Sequence, residues 1–100
     1  MPILIRYAPR GATVAQYDQV SEKVQATLDW PPDGLIAHVG FVSDGELRVS
    51  EVWESREQLE RFQEQLMPLL LEAGIDVESN EPEFFDVHGV ETRQYSTTGT

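Results

Sequence analysis

Cysteine is absent from these 100 residues, and with it go disulfide frameworks, thiol nucleophiles and thiolate metal sites. Basic side chains are scarce: seven Lys and Arg stand against eighteen Asp and Glu, for a formal net charge of -11. Such a surface repels phosphate backbones. The seven cations, Arg6, Arg10, Lys23, Arg48, Arg56, Arg61 and Arg93, are spread along the chain and form no basic stripe. Nucleic acid and anionic membrane are therefore disfavoured as partners. No run approaches the ~18 apolar residues of a membrane span. The opening "MPILIRYAPRG" places Arg6 inside its short apolar run and does not read as a secretory leader. The expectation is a soluble cytoplasmic protein. Asparagine occurs once, at Asn80, and histidine twice, at His38 and His88, so chemistry that needs either has few places to sit.

What is present is patterned. "PILIRY" alternates β-branched and aromatic residues as a strand does. After the breaker "APRGA", Thr13 and Gln16 form a capping box, and Val14, Tyr17, Val20, Val24 and Leu28 recur at helical spacing, which predicts a helix over 14–28. "DWPPDG" ends it, because proline lacks a donor and restricts the residue before it. Two extended runs then flank Asp44-Gly45, a dipeptide suited to a type I′ hairpin turn. Ser55 and Gln58 open a second helix with the stripe Leu59, Phe62, Leu66, Leu69 and Leu70, and Pro68 predicts a kink or restart near Met67. "EAGIDVESNEPE" reads as a loop and "EFFDVHGV" as a fourth strand. One domain over residues 1–92 and a disordered tail over 93–100 are expected.

The hairpin turn sets a register in which Val42 faces Leu47, Gly40 faces Val49, His38 faces Glu51 and Ile36 faces Trp53. Alternation puts all eight on one face. Ala37, Val39, Phe41, Arg48, Ser50 and Val52 take the other. The order β-α-β-β-α-β is the split βαβ pattern of an α+β, ferredoxin-like fold with an antiparallel sheet. Its helices cover one sheet face only. The second face, apolar at Val39, Phe41 and Val52, needs a cover that a second copy supplies, so a homodimer is expected.

With "EVWES" leading into an amphipathic helix as its most specific part, the chain resembles the dimeric α+β barrel superfamily, in particular the antibiotic biosynthesis monooxygenase-like domains. The resemblance covers roughly residues 2–92 in element order. It implies a pocket between sheet and helices, a tryptophan at the position of Trp53 lining that pocket, and, among enzymes of the group, cofactor-free oxygenation of aromatic molecules. Haem-degrading relatives carry an asparagine in strand one and a histidine on helix two; here strand one reads "ILIRY" and helix two has no histidine. Asn80 lies in a loop, so an asparagine-assisted oxygenase site is not recovered either.

The candidate catalytic pair is His38 with Glu51, in which the carboxylate orients the imidazole for proton transfer; the same pair also reads as a self-satisfied buried polar contact. Trp53 and Tyr7 are candidates for holding a small aromatic ligand, and both also read as core packing, the reading that burial of an aromatic favours. His88 is a further candidate whose facing the sequence leaves open between the sets Phe84, Asp86, His88 and Phe85, Val87. No metal site and no cofactor are expected, since two histidines at no helical or loop spacing make poor ligands. Two functions follow: a cofactor-independent monooxygenase acting on an aromatic small molecule, or a non-enzymatic ligand-binding or structural dimer in which the same residues fill a core. An open cavity beside His38 separates them.

Overall fold

Strand alternation decides which side chains meet the helices, and the backbone follows it closely. A computed structural model describes residues 1–93; the tail expected over 93–100 falls, apart from Arg93, outside the described residues. The elements are β1 (Ile3–Tyr7), α1 (Val14–Thr27), β2 (Leu35–Ser43), β3 (Glu46–Trp53), α2 (Arg56–Glu72) and β4 (Glu83–Asp86), with a 3₁₀ turn at Val77–Ser79 inside the loop before β4. The sheet runs β2-β3-β1-β4 with every neighbouring pair antiparallel. This is the ferredoxin-like α+β arrangement.

Helix α1 begins as its capping box directs: Thr13 Oγ1 accepts from the Gln16 N–H at 3.1 Å, and Gln16 Oε1 accepts from the Thr13 N–H at 3.0 Å. At α2 the box is only half formed. Ser55 Oγ accepts from the Gln58 N–H, but the Gln58 side chain turns to the Ser55 hydroxyl and to Asp33. Helix α2 also continues through Pro68 as one element instead of restarting at Met67. The reason is placement: Pro68 and Glu64, whose carbonyl loses its donor, both lie on the exposed side. Water solvates that carbonyl while Leu66 and Leu69 keep the opposite side packed.

The turn is the expected one, with Asp44 at φ 53° and Gly45 at φ 77°, both positive as a type I′ turn requires. Val42, Gly40 and His38 face Leu47, Val49 and Glu51 as the register demands. The expected Ile36–Trp53 pair is displaced. A bulge between Leu35 and Ala37 makes Leu35 the partner of Trp53, since the extra residue of a bulge shifts the pairing beyond it by one. The fourth strand is shorter than "EFFDVHGV" and ends at Asp86, which pairs with Ile3; Pro2, before Ile3, has no N–H to give the ladder and only accepts one bond from the Val87 N–H.

Ile5, Val24, Trp53, Leu59 and Phe62 form the core between the sheet and both helices. Trp53 and Ile5 are 0 % exposed and Leu59 1 %. Burying such side chains contributes about 1.5–3 kcal/mol each. Both helices lie on this side. The opposite sheet face carries Leu4, Val39, Phe41, Val52 and Phe85, with Val39 53 % and Phe85 46 % exposed, and no described element covers it. Among the described residues no helix is long and apolar enough to cross a membrane.

Candidate active site

Above the core, the helix-side face of the sheet and the two helices enclose a cavity of about 190 Å³. Its floor is Tyr7 of β1, His38 of β2 and Leu47, Val49 and Glu51 of β3; Tyr17 and Val20 of α1 and Phe62 and Leu66 of α2 form its walls. The lining is mainly apolar, and the space exceeds the ~150 Å³ that accommodates a benzene ring in an engineered core. It suits a ligand of one or two rings.

Three polar side chains from three elements, Glu51 of β3, His38 of β2 and Tyr17 of α1, meet along one edge of this space, with Trp53 behind them. Glu51, 7 % exposed, accepts through Oε2 from His38 Nδ1 at 2.6 Å and through Oε1 from Trp53 Nε1 at 3.0 Å. Those two donors occupy both carboxylate oxygens and fix the side chain. In the tautomer that gives Nδ1–H to Glu51, Nε2 of His38 is an acceptor, and the hydroxyl of Tyr17, 2.7 Å away, is its donor. The chain Trp53–Glu51–His38–Tyr17 thus runs from the core to the cavity. Trp30, in the loop after α1, stands edge-on to the imidazole with centroids 5.3 Å apart and planes at 89°. No buried side-chain nitrogen or oxygen among the described residues lacks a partner.

The two cavity tyrosines are held as neutral phenols. Burial raises the pKa of Tyr7 well above the usual tyrosine value of 10.0; the charge of Glu51 adds to this and the bond from Gln63 opposes it. Tyr17 is pushed the same way by burial first, then by Glu51 and Asp18. Gln63 Nε2 donates to the Tyr7 oxygen at 2.9 Å, which leaves the Tyr7 O–H available as a donor.

The geometry therefore brings His38, Glu51 and Tyr7 to one cavity. Trp53 is not part of its wall: fully buried behind Glu51, it seats α2 through Phe62, with ring centroids 5.8 Å apart, and ties down the carboxylate. The resemblance implies a lining role for Trp53; here the packing of Phe62 of α2 against the indole keeps it out of the wall. His88 is exposed, lies beyond the end of β4 and does not reach the cavity. The remaining side chains at the site went unread in the sequence. Tyr17 sits inside an apolar stripe, where its hydroxyl is the one polar tip. Trp30 passed as part of a turn. Asn80, set aside as a loop residue, lines the cavity because its Oδ1 accepts from the Ala8 N–H at 2.8 Å and draws the loop against the end of β1.

No protein-family model matches this sequence, and no curated protein matches it significantly. Solved structures do match by shape. The Mycobacterium tuberculosis protein Rv0793 is 18 % identical with a TM-score of 0.61, over 91 % of this chain and 97 % of its own. SnoaB of Streptomyces nogalater, a cofactor-independent oxygenase, is 17 % identical with a TM-score of 0.57, over 89 % and 93 %. The monooxygenase ActVA-Orf6 of Streptomyces coelicolor, in complex with nanaomycin D, is 12 % identical with a TM-score of 0.58, over 93 % and 92 %. At these identities the likeness establishes architecture alone, the ferredoxin-like α+β fold that these solved structures share with this chain.

Proposed function

We propose that this chain is a homodimeric, cofactor-independent monooxygenase that acts on a small, electron-rich aromatic molecule in the cavity between sheet and helices. The observation that carries the reading is His38, oriented by Glu51 through a 2.6 Å bond, at the edge of an otherwise apolar cavity. An imidazole so placed is a general base. A phenol bound beside it loses its O–H proton toward His38, and the imidazolium formed pairs with Glu51. The phenolate is rich enough in electrons to reduce dioxygen: a carbon–oxygen bond forms, one oxygen atom stays in the quinone, and the other leaves as water with the hydrogen lost from the ring carbon and the proton returned by the His38 imidazolium. The Tyr7 hydroxyl donates to the oxyanion. The names of SnoaB and ActVA-Orf6 support this class of chemistry on this fold.

The open sheet face supports the second copy, which covers Val39, Phe41 and Val52. The test of the chemistry is oxygen consumption with a panel of one- and two-ring phenols and anthrone-like compounds. Wild type is expected to consume oxygen with at least one member, and His38→Gln to lose that activity while unfolding at nearly the same temperature. Equal rates in the two proteins would defeat the assignment of His38. A wild type that binds panel members without consuming oxygen would favour a ligand-binding module.

A further inference from the structure

His38 has no nitrogen left for a ligand. Nδ1 is given to Glu51 at 2.6 Å and Nε2 is covered by the Tyr17 hydroxyl at 2.7 Å. The ring is also flanked, by Tyr17 stacked at 5.9 Å and 20° and by Trp30 edge-on at 5.3 Å. A proton leaving a molecule in the cavity therefore meets the oxygen of Tyr17 before it meets the imidazole. What holds Tyr17 there is an absence. A Cβ built at Gly40, the residue two positions along β2 from His38, would lie 2.9 Å from Tyr17 Cζ and 3.1 Å from its hydroxyl, closer than carbon atoms tolerate. Gly40 is a strand residue facing Val49, where a missing side chain weakens a strand, and the space it leaves is filled by the phenol ring.

We infer that Tyr17 is a catalytic residue that relays the substrate proton to His38, and that Gly40 is a positioning residue that seats it. This deepens, and rests on, the reading of His38 and Glu51 as the base. The step balances as two linked transfers. The substrate O–H bond breaks and its proton joins Tyr17 Oη, while the proton that Tyr17 held leaves for His38 Nε2. The products are a substrate anion, a neutral Tyr17 and an imidazolium paired with Glu51. Burial and the neighbouring carboxylates of Glu51 and Asp18 disfavour a tyrosinate, so the two transfers are concerted and no phenolate of Tyr17 accumulates. The relay selects a hydroxyl-bearing ring: an aromatic ligand without an acidic proton has nothing to pass to Tyr17.

The experiment uses 4-nitrophenol, a one-ring phenol whose ionisation is visible, at a pH where the free probe is largely neutral. Wild type, Tyr17→Phe and Gly40→Ala are compared, with nitrogen NMR of the His38 ring in the unliganded proteins. Wild type is expected to bind the probe as its phenolate. Tyr17→Phe should keep the fold but lower the bound phenolate-to-phenol ratio about tenfold or more, the scale of a lost hydrogen bond to a charged group. Gly40→Ala should do the same, and in both variants the Nε2 resonance should lose the shift that accepting a hydrogen bond gives it. The double variant should be no worse than Tyr17→Phe, because both changes break one link. If wild type and Tyr17→Phe ionise the probe equally, the relay is overturned and the base reading stands. If wild type leaves the bound probe neutral or does not bind it, the base reading fails and takes the relay with it. Unchanged Nε2 resonances in Tyr17→Phe would overturn the relay without reference to any probe, including where Gly40→Ala does not fold.

Discussion

Glu51 is the residue on which the site turns, because one buried carboxylate satisfies an indole from the core and an imidazole at the cavity edge. Its charge reaches both cavity tyrosines and, together with their burial, keeps them protonated. That has a consequence for alkaline stability. A tyrosine whose pKa is raised by folding contributes stability that is fully present below its unfolded value near 10 and is lost as pH climbs toward the folded value. Stability should thus hold up to about pH 10 and then fall, with the unfolded chain drawing the reaction by ionising tyrosines that the folded chain keeps neutral. Ultraviolet phenolate absorbance measured during alkaline titration checks this: Tyr7 and Tyr17 should stay protonated past the usual range, and the full signal of all three tyrosines should appear only with unfolding. Ionisation of all three near pH 10 in a still-folded chain would contradict the buried, carboxylate-facing positions of Tyr7 and Tyr17.

Elements were more legible in the sequence than the site was, for a physical reason. Caps, breakers and turn dipeptides act over three or four residues, so Thr13, Asp44 and Gly45 announced their own local structure, and the turn then placed His38 opposite Glu51 without any tertiary knowledge. The bulge at Ile36 carried no such local mark, and it moved the partner of Trp53 from Ile36 to Leu35. Tyr17 and Trp30 were illegible for another reason. Their roles depend on which surface a helix face or loop meets, and an aromatic at a core spacing looks the same whether its tip ends in packing or on a histidine. Pro68 shows the limit of a local rule in the opposite direction, since a residue that breaks helices is carried by the packing of Leu66 and Leu69. The helix still bears its cost. Pro68→Ala restores an N–H toward the Glu64 carbonyl and removes the ring clash, against a smaller loss from the freer unfolded chain. Urea unfolding should show a gain of about 1–2 kcal/mol, with the cavity residues unmoved. A loss of stability would mean that the exposed ring packs usefully where the structure leaves it in solvent.

At the scale of the whole molecule the two sheet faces divide the work: one carries core and cavity, and the other carries Leu4, Val39, Phe41, Val52 and Phe85 with nothing from the described residues over them. In the proposed homodimer a second copy covers this apolar face, because the same face on each copy matches by symmetry. Sedimentation equilibrium should give twice the chain mass, and Phe41→Glu should give monomers or aggregates, because the interface would hold an unpaired carboxylate. Phe41 is partly buried within its own chain, so Val39→Asp is the cleaner partner experiment: Val39 is 53 % exposed, and a carboxylate there leaves a monomer's core undisturbed while still facing the second copy. The net charge adds a dependence that separates this association from ordinary ion pairing. Two copies at -11 each repel one another at long range. Salt screens that repulsion, with a Debye length of about 10 Å at 0.1 M, and leaves the burial of apolar surface intact. The dimer should therefore tighten as ionic strength rises, and an association that weakens with salt would place the interface on charged surface instead of on Phe41 and Val39.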